Sequence, residues 1–280
     1  MVDETGRVAF LGPEGTFTEE ALLADPPAGN LAPFPYPSIQ EVIQAVASGA
    51  ADLAIVPIEN SLEGSVTLTL DLLAFGFDEL AIVREVTHAI RHQLIARTDL
   101  RLDEITKVVS IPIAYGQCRK FIQEHLAAVE HEATDSTAEA VRRVSRVNRP
   151  WVAIGTRLSA SLYECTVIRD DIEDSLGNRT RFVYLARTPA PQDLDARYKT
   201  SIVCGIGADQ PGTLLLILSE FAHRYVNLTK IESRPSKQGL GDYVFFIDVE
   251  GRRGETPIEQ ALNCLACKLP WVKVLGSYPA

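Results

Sequence analysis

The sequence lacks several features that define whole classes of protein. None of its apolar runs approaches the roughly 20 uncharged residues that a membrane-spanning helix requires. Its 27 basic residues are outnumbered by 37 acidic ones, and the formal net charge of −10 leaves no basic stripe for nucleic acid. The segment up to Arg7 is polar and leads straight into a strand-like run, unlike a secretory signal. We therefore expect a cytoplasmic protein that binds neither membranes nor nucleic acid.

Cysteine is also too scarce and too scattered for a disulfide framework or a zinc site. The chain has five cysteines, an odd number. Cys264 and Cys267 form a single C-x-x-C inside a helical pattern, without a second pair or a nearby histidine. Two small reduced residues on a helix are therefore a better interpretation than a metal or redox centre. We expect no metal ion and no organic cofactor.

The first two-thirds of the chain alternates strand-like and helix-like segments. Strand-like runs occupy residues 8–11, 53–56, 107–110 and 151–154. Two helices have capping-box starts, with Ser38 three residues before Glu41 and Ser136 three residues before Glu139. Apolar residues then recur at helical spacing. This alternation predicts α/β layers around a largely parallel sheet.

The pattern changes after a proline-rich stretch at residues 188–193, which is typical of a linker. Strand-like runs then occupy residues 200–206, 226–233, 243–249 and 271–275, and amphipathic helices follow the first and third of them. The order βαββαβ predicts a ferredoxin-like split unit. Such units regulate more often than they catalyse, although a fold alone does not assign a function.

Three segments place hydroxyl, amide and backbone N–H donors where a strand leads into a helix or turn. They are residues 12–18, 57–64 and 135–137. Ligands of open α/β sheets bind at this end of the strands, and a helix N-terminus offers unpaired N–H groups to an anion. Each segment alone is an ordinary capped turn, but three together predict a pocket for a multiply charged small molecule. The pattern of a fourth segment, residues 177–184, on its own indicates a turn entering an edge strand.

Four of these motifs resemble those of the prephenate dehydratases and occur in the same order. They read Gly12-Pro-x-Gly-Thr-Phe-Thr18, Val56-Pro-Ile-Glu-Asn-Ser61 with Gly64, Ser136-Thr-Ala-Glu-Ala140 and Asn178-Arg-Thr-Arg-Phe182. Beyond the linker, Pro211-Gly-Thr-Leu214 and the run from Asn227 to Pro235 resemble the two phenylalanine-sensing motifs of that family's ACT domain. The resemblance covers nearly the whole chain.

The resemblance implies an α/β catalytic domain at residues 1–188, built of two lobes as in a periplasmic binding-protein fold. Lobe 1 would comprise residues 1–82 and 166–188, lobe 2 residues 83–165, and the ACT regulatory domain residues 198–280. The implied reaction converts prephenate to phenylpyruvate, carbon dioxide and water in L-phenylalanine biosynthesis. It also implies feedback regulation by phenylalanine and assembly into a homodimer or homotetramer.

The resemblance also implies site residues. Catalysis would involve Thr180, which would hydrogen-bond or relay a proton to the leaving hydroxyl, with Arg181 and Phe182 beside it. Arg181 could either anchor a substrate carboxylate or form a structural ion pair. Substrate binding would involve Thr16, Asn60, Ser61, Gly64, Ser136 and Thr137. Phenylalanine would contact Gly212, Thr213, Leu214, Asn227, Leu228, Glu232, Ser233, Arg234 and Pro235. We expect His88 and His92, which flank Arg91, on a solvated surface.

One segment departs from the family pattern. Where the family usually has His-Pro-Gln-Ala, this chain has Ile111 and Ile113 in place of the two polar residues. A more apolar pocket can change the substrate or the outcome of the reaction. Prephenate decarboxylation and arogenate dehydration therefore remain alternatives, and a non-catalytic small-molecule sensor is a third.

Overall fold

The computed structural model describes residues 6–25, 31–188, 196–207, 210–237, 239 and 242–280. Most of the predicted linker, residues 189–193, lies outside the described residues, as do residues 1–5. The chain forms two compact units. The first unit comprises Met1–Thr69 and Val86–Phe182, and the second comprises Leu70–Glu85 and Val183–Ala280.

The described residues form fifteen strands and nine α-helices. The strands are β1 (Arg7–Leu11), β2 (Ala32–Tyr36), β3 (Leu53–Asn60), β4 (Gly64–Ser65), β5 (Ala81–Ala89), β6 (Gln93–Ala96), β7 (Lys107–Ser110), β8 (Glu130–Ala133), β9 (Trp151–Gly155), β10 (Thr166–Arg169), β11 (Arg179–Ala186), β12 (Tyr198–Gly205), β13 (Leu228–Pro235), β14 (Tyr243–Glu250) and β15 (Trp271–Pro279). The helices are α1 (Phe17–Leu23), α2 (Ile39–Ala47), α3 (Thr67–Phe75), α4 (Pro112–Gln117), α5 (Arg119–His125), α6 (Thr137–Ser145), α7 (Arg157–Leu162), α8 (Thr213–Ala222) and α9 (Thr256–Lys268).

The first unit has mixed α/β architecture around two groups of strands, which confirms the predicted class. In one group β2, β1 and β3 run parallel in that order, with β4 antiparallel to β3 and β11 beside β3. The other is a five-stranded sheet in the order β10-β6-β9-β7-β8. Strands β8, β7 and β9 are parallel, whereas β6 and β10 join antiparallel. The prediction of parallel strands therefore holds for three strands in each group.

The five-stranded sheet is buried on both faces, because successive side chains along a strand point to opposite sides. Val108 and Val152 pack with Ile122 of α5 on one face. Val109 packs with Val141 of α6 on the other. Covering both faces with helices accounts for the continuous apolar runs in these strands.

The second unit confirms the predicted βαββαβ order, in the succession β12, α8, β13, β14, α9 and β15. Its strands pair in the order β13-β14-β12-β15, and each of these pairs is antiparallel. A core that includes Ile202, Phe221, Ile247 and Leu265 lies between the sheet and its two helices. Within the described ranges, no helix is long and apolar enough to cross a membrane.

Candidate active site

A cavity of about 400 Å³ lies in the first unit, where three helices begin close to the ends of β3 and β11. This volume is within the usual range for small-molecule sites. One part of its wall is polar and the other part is apolar. The polar part includes Thr16, Asn60, Gln117, Ser136, Thr137 and Thr180. The apolar part includes Phe17, Ile111, Ile113 and Phe182.

The start of α6 directs unpaired backbone N–H groups towards this region. Ser136 caps the helix, because its Oγ accepts a hydrogen bond from the N–H of Glu139 at 3.0 Å. The N–H groups of Thr137 and Ala138 have no acceptor within the helix, as at any helix start. The end of the helix that carries the partial positive charge therefore lies at the cavity wall, where it favours a bound anion.

Three residues of the cavity lining and Asn178, which is not part of that lining, form a closed circuit of hydrogen bonds. We call this circuit the amide ring: Asn60, Glu63, Gln117 and Asn178. Asn60 Nδ2 donates to Asn178 Oδ1 at 2.8 Å, and Asn178 Nδ2 donates to Gln117 Oε1 at 3.0 Å. Gln117 Nε2 donates to Glu63 Oε1 at 2.9 Å, and the N–H of Glu63 donates back to Asn60 Oδ1 at 3.0 Å. The ring thus joins the end of β3 and the residue before β11 to the last residue of α4.

The ring determines which way the Thr180 hydroxyl points. Asn60 Oδ1 accepts two backbone N–H groups, those of Leu62 and Glu63, so its Nδ2 must face the other way. That Nδ2 donates to Thr180 Oγ1 at 2.9 Å. Thr180 Oγ1 is therefore an acceptor in this bond, and its own proton is directed elsewhere. Among the described residues it has no protein acceptor, so the proton remains available to a ligand.

His92 corrects one sequence prediction. We expected it on a solvated surface, but its side chain is only 2% exposed and lies in the cavity wall. Its Nε2 is 2.9 Å from Gln117 Oε1, and its backbone N–H donates to Glu173 Oε2. Burial lowers the pKa of His92 below its ordinary value. His88 is partly buried and its Nε2 lies 3.4 Å from Glu20 Oε2.

Three of the predicted site residues are not among those that line the cavity. Arg181 forms an ion pair with Glu59 at 3.3 Å, which corresponds to the second of the two alternatives considered for it. Ser61 Oγ accepts the N–H of Arg179 at 2.9 Å and so connects the end of β3 to the start of β11. Gly64 is exposed in β4 with a φ of +80°. Their assignment as substrate ligands remains a prediction.

The departure from the family motif is part of the cavity wall. Ile111 precedes the first residue of α4, and Ile113, which is 55% exposed, follows in its first turn. Neither side chain can form a hydrogen bond. The charged side chains in the described lining are Glu63 and Asp135, both acidic. Any anion in this cavity must therefore rely on neutral donors.

In the second unit, the first predicted phenylalanine motif lies beside a hollow of about 430 Å³. Gly212 caps α8 with a φ of +91°, and Thr213 and Leu214 line the hollow with Ile206 and Phe245. Asn227 precedes β13, and its carbonyl oxygen accepts the N–H of Glu250 at 2.9 Å. The other residues of the second motif, namely Leu228, Glu232, Ser233, Arg234 and Pro235, lie in β13 and are not among the lining residues.

Arg234 belongs to a group that we call the charged cluster: Asp71, Glu232, Arg234 and Lys237. Arg234 Nη2 lies 2.9 Å from Asp71 Oδ1, and Lys237 Nζ lies 2.5 Å from Asp71 Oδ2. Glu232 Oε1 lies 3.7 Å from Arg234 Nη1. One carboxylate on α3 thus binds two cations of the β13 segment.

Sequence reasoning missed four residues of the site: Glu63, His92, Gln117 and Asn178. Asn178 stands in a motif that we had singled out, and Gln117 follows the departing segment directly. Both are polar residues close to a chain reversal, which is a usable signal. Glu63 also lies in a segment that was singled out, residues 57–64, although it was not picked out from its neighbours there. Nothing in the local pattern distinguishes His92 from an ordinary surface residue.

Comparison with known proteins shows the family of the chain. The family model described as prephenate dehydratase matches residues 8–190, and the ACT domain model matches residues 200–265. A bifunctional chorismate mutase/prephenate dehydratase of Pseudomonas aeruginosa is 39% identical over 98% of this chain and 73% of its own length. A prephenate dehydratase of Arthrobacter aurescens, solved in complex with L-Phe, is 38% identical with a TM-score of 0.90 over 98% of this chain and 90% of that one.

A further solved structure, described as a novel type of quorum quenching acylase, is 29% identical with a TM-score of 0.86, over 98% of this chain and 97% of that one. The family model and the P. aeruginosa relative each cover well over half of this chain. The chain therefore belongs to the prephenate dehydratase family of lyases and has an ACT domain in its C-terminal part.

Proposed function

We propose that the cavity binds prephenate and that Thr180 assists the departure of its ring hydroxyl. The observation that supports this most directly is the orientation of Thr180. Its Oγ1 accepts from Asn60 at 2.9 Å, which leaves its proton free to hydrogen-bond a group in the cavity. A donor held at the leaving oxygen stabilises the negative charge that develops there.

The reaction needs no oxidant or reductant. The bond between the ring and its carboxylate breaks, and its electron pair enters the ring as the carboxylate departs as carbon dioxide. The carbon–oxygen bond breaks at the opposite ring carbon, and the departing hydroxide takes one proton from the solvent to become water. The ring becomes aromatic, which supplies the driving force. The protein's task is to hold the substrate and stabilise the leaving hydroxyl.

The two walls of the cavity suit the two kinds of group on prephenate. We place one substrate carboxylate at the start of α6, within reach of the Thr137 hydroxyl and backbone N–H. The apolar side chains of Ile111, Ile113 and Phe182 provide poor solvation for the ring carboxylate. Poor solvation destabilises that carboxylate relative to neutral carbon dioxide and so favours its loss.

We also propose that the second unit binds phenylalanine and lowers the activity. The prephenate dehydratase of A. aurescens was solved in complex with L-Phe, and its structure has a TM-score of 0.90 with this chain. The hollow beside Gly212, together with the motif in β13, would form this site at an interface within a homodimer or homotetramer. The domain limits would be residues 1–188 for catalysis and residues 198–280 for regulation. Since all five cysteines are free thiols, we infer the cytoplasm as the compartment.

The test is to incubate the purified protein with prephenate and identify the product, with and without phenylalanine. We expect phenylpyruvate, less of it when phenylalanine is present, and a loss of about 100-fold in kcat for Thr180→Ala. Thr180→Ser keeps the hydroxyl and serves as the matched control. Near-full activity of Thr180→Ala would refute the proposed role, and a non-aromatic decarboxylated product would identify a decarboxylase instead. Absence of any turnover would favour a sensor.

Arogenate should be assayed in parallel, because the charged side chains of the cavity wall are acidic. Arogenate differs from prephenate by an ammonium group in place of the keto oxygen, so its net charge is less negative. Both charged side chains in the described lining, Glu63 and Asp135, are acidic and would attract that ammonium group. A higher kcat/KM for arogenate than for prephenate would establish arogenate as the preferred substrate.

A further inference from the structure

We propose that Gln117 is a positioning residue for Thr180, held between His92 on one side and Glu63 on the other. The proposal rests on the proposed catalytic role of Thr180. Gln117 itself need not touch the reacting atoms. It acts through Asn178 and Asn60, which connect it to the Thr180 hydroxyl by a chain of three hydrogen bonds.

The neighbours of the Gln117 amide fix its orientation. Asn60 is oriented by two backbone N–H groups, and it presents Nδ2 to Asn178 Oδ1 at 2.8 Å. Asn178 must then present its own Nδ2 to Gln117, so Gln117 Oε1 is an acceptor. This leaves Gln117 Nε2 for the Glu63 carboxylate at 2.9 Å. Each amide in the ring therefore has a single orientation.

The orientation of Gln117 fixes the tautomer of His92. Because Gln117 Oε1 only accepts, the hydrogen bond at 2.9 Å requires a proton on His92 Nε2. His92 Nδ1 is then the unprotonated nitrogen, and it is buried without a partner among the described residues. A neutral imidazole packed edge-on against Phe17 fits this arrangement. The histidine thus supplies a second donor that holds the Gln117 carbonyl.

Removal of the Gln117 side chain would leave a buried hydrogen-bond donor without an acceptor. Asn178 is only 1% exposed, and without the Gln117 carbonyl its Nδ2 would lose its acceptor in a dry environment. An unsatisfied buried donor costs about 1–3 kcal/mol. The Asn178 amide would turn to find another acceptor and withdraw Oδ1 from Asn60. Asn60 would then hold Thr180 less well, and a misplacement of about 1 Å can lower a rate about 100-fold.

The experiment is a double-mutant cycle on prephenate turnover with Gln117→Leu, Thr180→Ala and the double variant. We expect Gln117→Leu to lower kcat about 10- to 100-fold with little change in KM. In the Thr180→Ala background the same change should have less than about a threefold effect, because residues that act as a unit are not additive. Gln123→Leu, at an exposed glutamine of α5, is the matched control.

A rescue pair keeps the test decisive if Gln117→Leu folds poorly. Gln117→Glu keeps the acceptor for Asn178 and His92 but places a carboxylate against Glu63, so it should lower kcat. Adding Glu63→Gln places an amide opposite the new carboxylate, so that position 63 donates and position 117 accepts. This second change should recover most of kcat. ¹⁵N NMR of His92 should show a protonated Nε2 in the unmodified protein, and His92→Asn should retain more activity than His92→Phe.

The outcomes separate this inference from the proposed function. Full additivity of Gln117→Leu and Thr180→Ala, with Thr180→Ala itself impaired, would overturn the positioning role alone. Full activity of Thr180→Ala would overturn both. Failure of the Glu63→Gln exchange to restore kcat, or a protonated Nδ1 on His92, would likewise contradict the arrangement of the ring.

Discussion

The amide ring and the charged cluster both connect distant parts of the chain, the ring by hydrogen bonds between mostly neutral groups and the cluster by ion pairs. The ring has three neutral amides and one carboxylate, joined by hydrogen bonds of 2.8–3.0 Å. The charged cluster has two carboxylates and two cations, with Asp71 between Arg234 and Lys237. Both join segments that are more than fifty residues apart in sequence.

The difference lies in what each arrangement can specify. A hydrogen bond between amides has a donor and an acceptor, so a ring of them has a fixed direction and determines where the Thr180 proton goes. An ion pair depends on charge and distance, and salt screens it where it is exposed. We therefore expect the ring to control the reaction rate and the cluster to control stability. Three predictions test this division, in order of decreasing effect.

The largest effect should come from Asn60→Asp. A carboxylate has only acceptor atoms, so it would accept a hydrogen bond from the Thr180 hydroxyl. That hydroxyl would then no longer donate to the substrate. We expect kcat for prephenate to fall about 100-fold or more, as when an active site loses one preorganised hydrogen-bond donor. Asn148→Asp adds the same charge at an exposed position and should leave kcat unchanged. A loss below about threefold at Asn60 would show that the direction of the ring is unimportant.

The second effect concerns Asp71→Asn. The Asp71 side chain is 10% exposed and that of Arg234 is 14% exposed, so the change removes the main counter-charge of a largely buried cation. We expect the free energy of unfolding, measured in urea, to fall by about 3 kcal/mol. Asp78→Asn breaks the ion pair of a 92% exposed carboxylate with Lys273 and should have a much smaller effect. Equal losses for the two variants would contradict the role given to burial.

The smallest effect is the pH dependence that His92 confers on stability. Burial lowers the pKa of His92 in the folded protein, so the unfolded chain binds its proton more readily. Stability should therefore decline as the pH falls below about 6.5, the ordinary histidine pKa. His92→Phe removes this contribution, so its unfolding free energy should decline less between about pH 7.5 and about pH 5.5. If the unfolding free energies of the two proteins declined equally over this pH range, burial would not lower the pKa of His92 in the folded protein.

Local patterns predicted the elements that depend on local chemistry. Ser38 and Ser136 cap their helices through the N–H of the third residue that follows, as the S-x-x-E spacing predicted. The βαββαβ order was also predictable, because amphipathic periodicity is a local property. Strand β2 was not recognised, since Pro33 and Pro35 lower its strand propensity. It forms at the edge of its sheet, where a proline need not donate to a neighbouring strand.

The site was less predictable, because its polar contacts join distant segments. Thr16, Asn60 and Thr180 could be placed near a ligand from their motifs, and they do line one cavity. The burial of His92 depends on Glu173 and Gln117, which are 81 and 25 residues away. Its own neighbours, Arg91 and Gln93, are polar and suggest a surface. The sequence around His92 could not predict these two hydrogen-bond partners.

The amide ring also limits how this protein can be recombined with its relatives. Its members stand at positions 60, 63, 117 and 178, so any crossover between positions 60 and 178 takes them from different parents. A chimera keeps the circuit only if both parents carry compatible amides at these positions. Exchange of a whole C-terminal part after position 188 leaves the ring intact. Libraries of hybrid enzymes should therefore retain activity mainly when their breakpoints lie outside this interval.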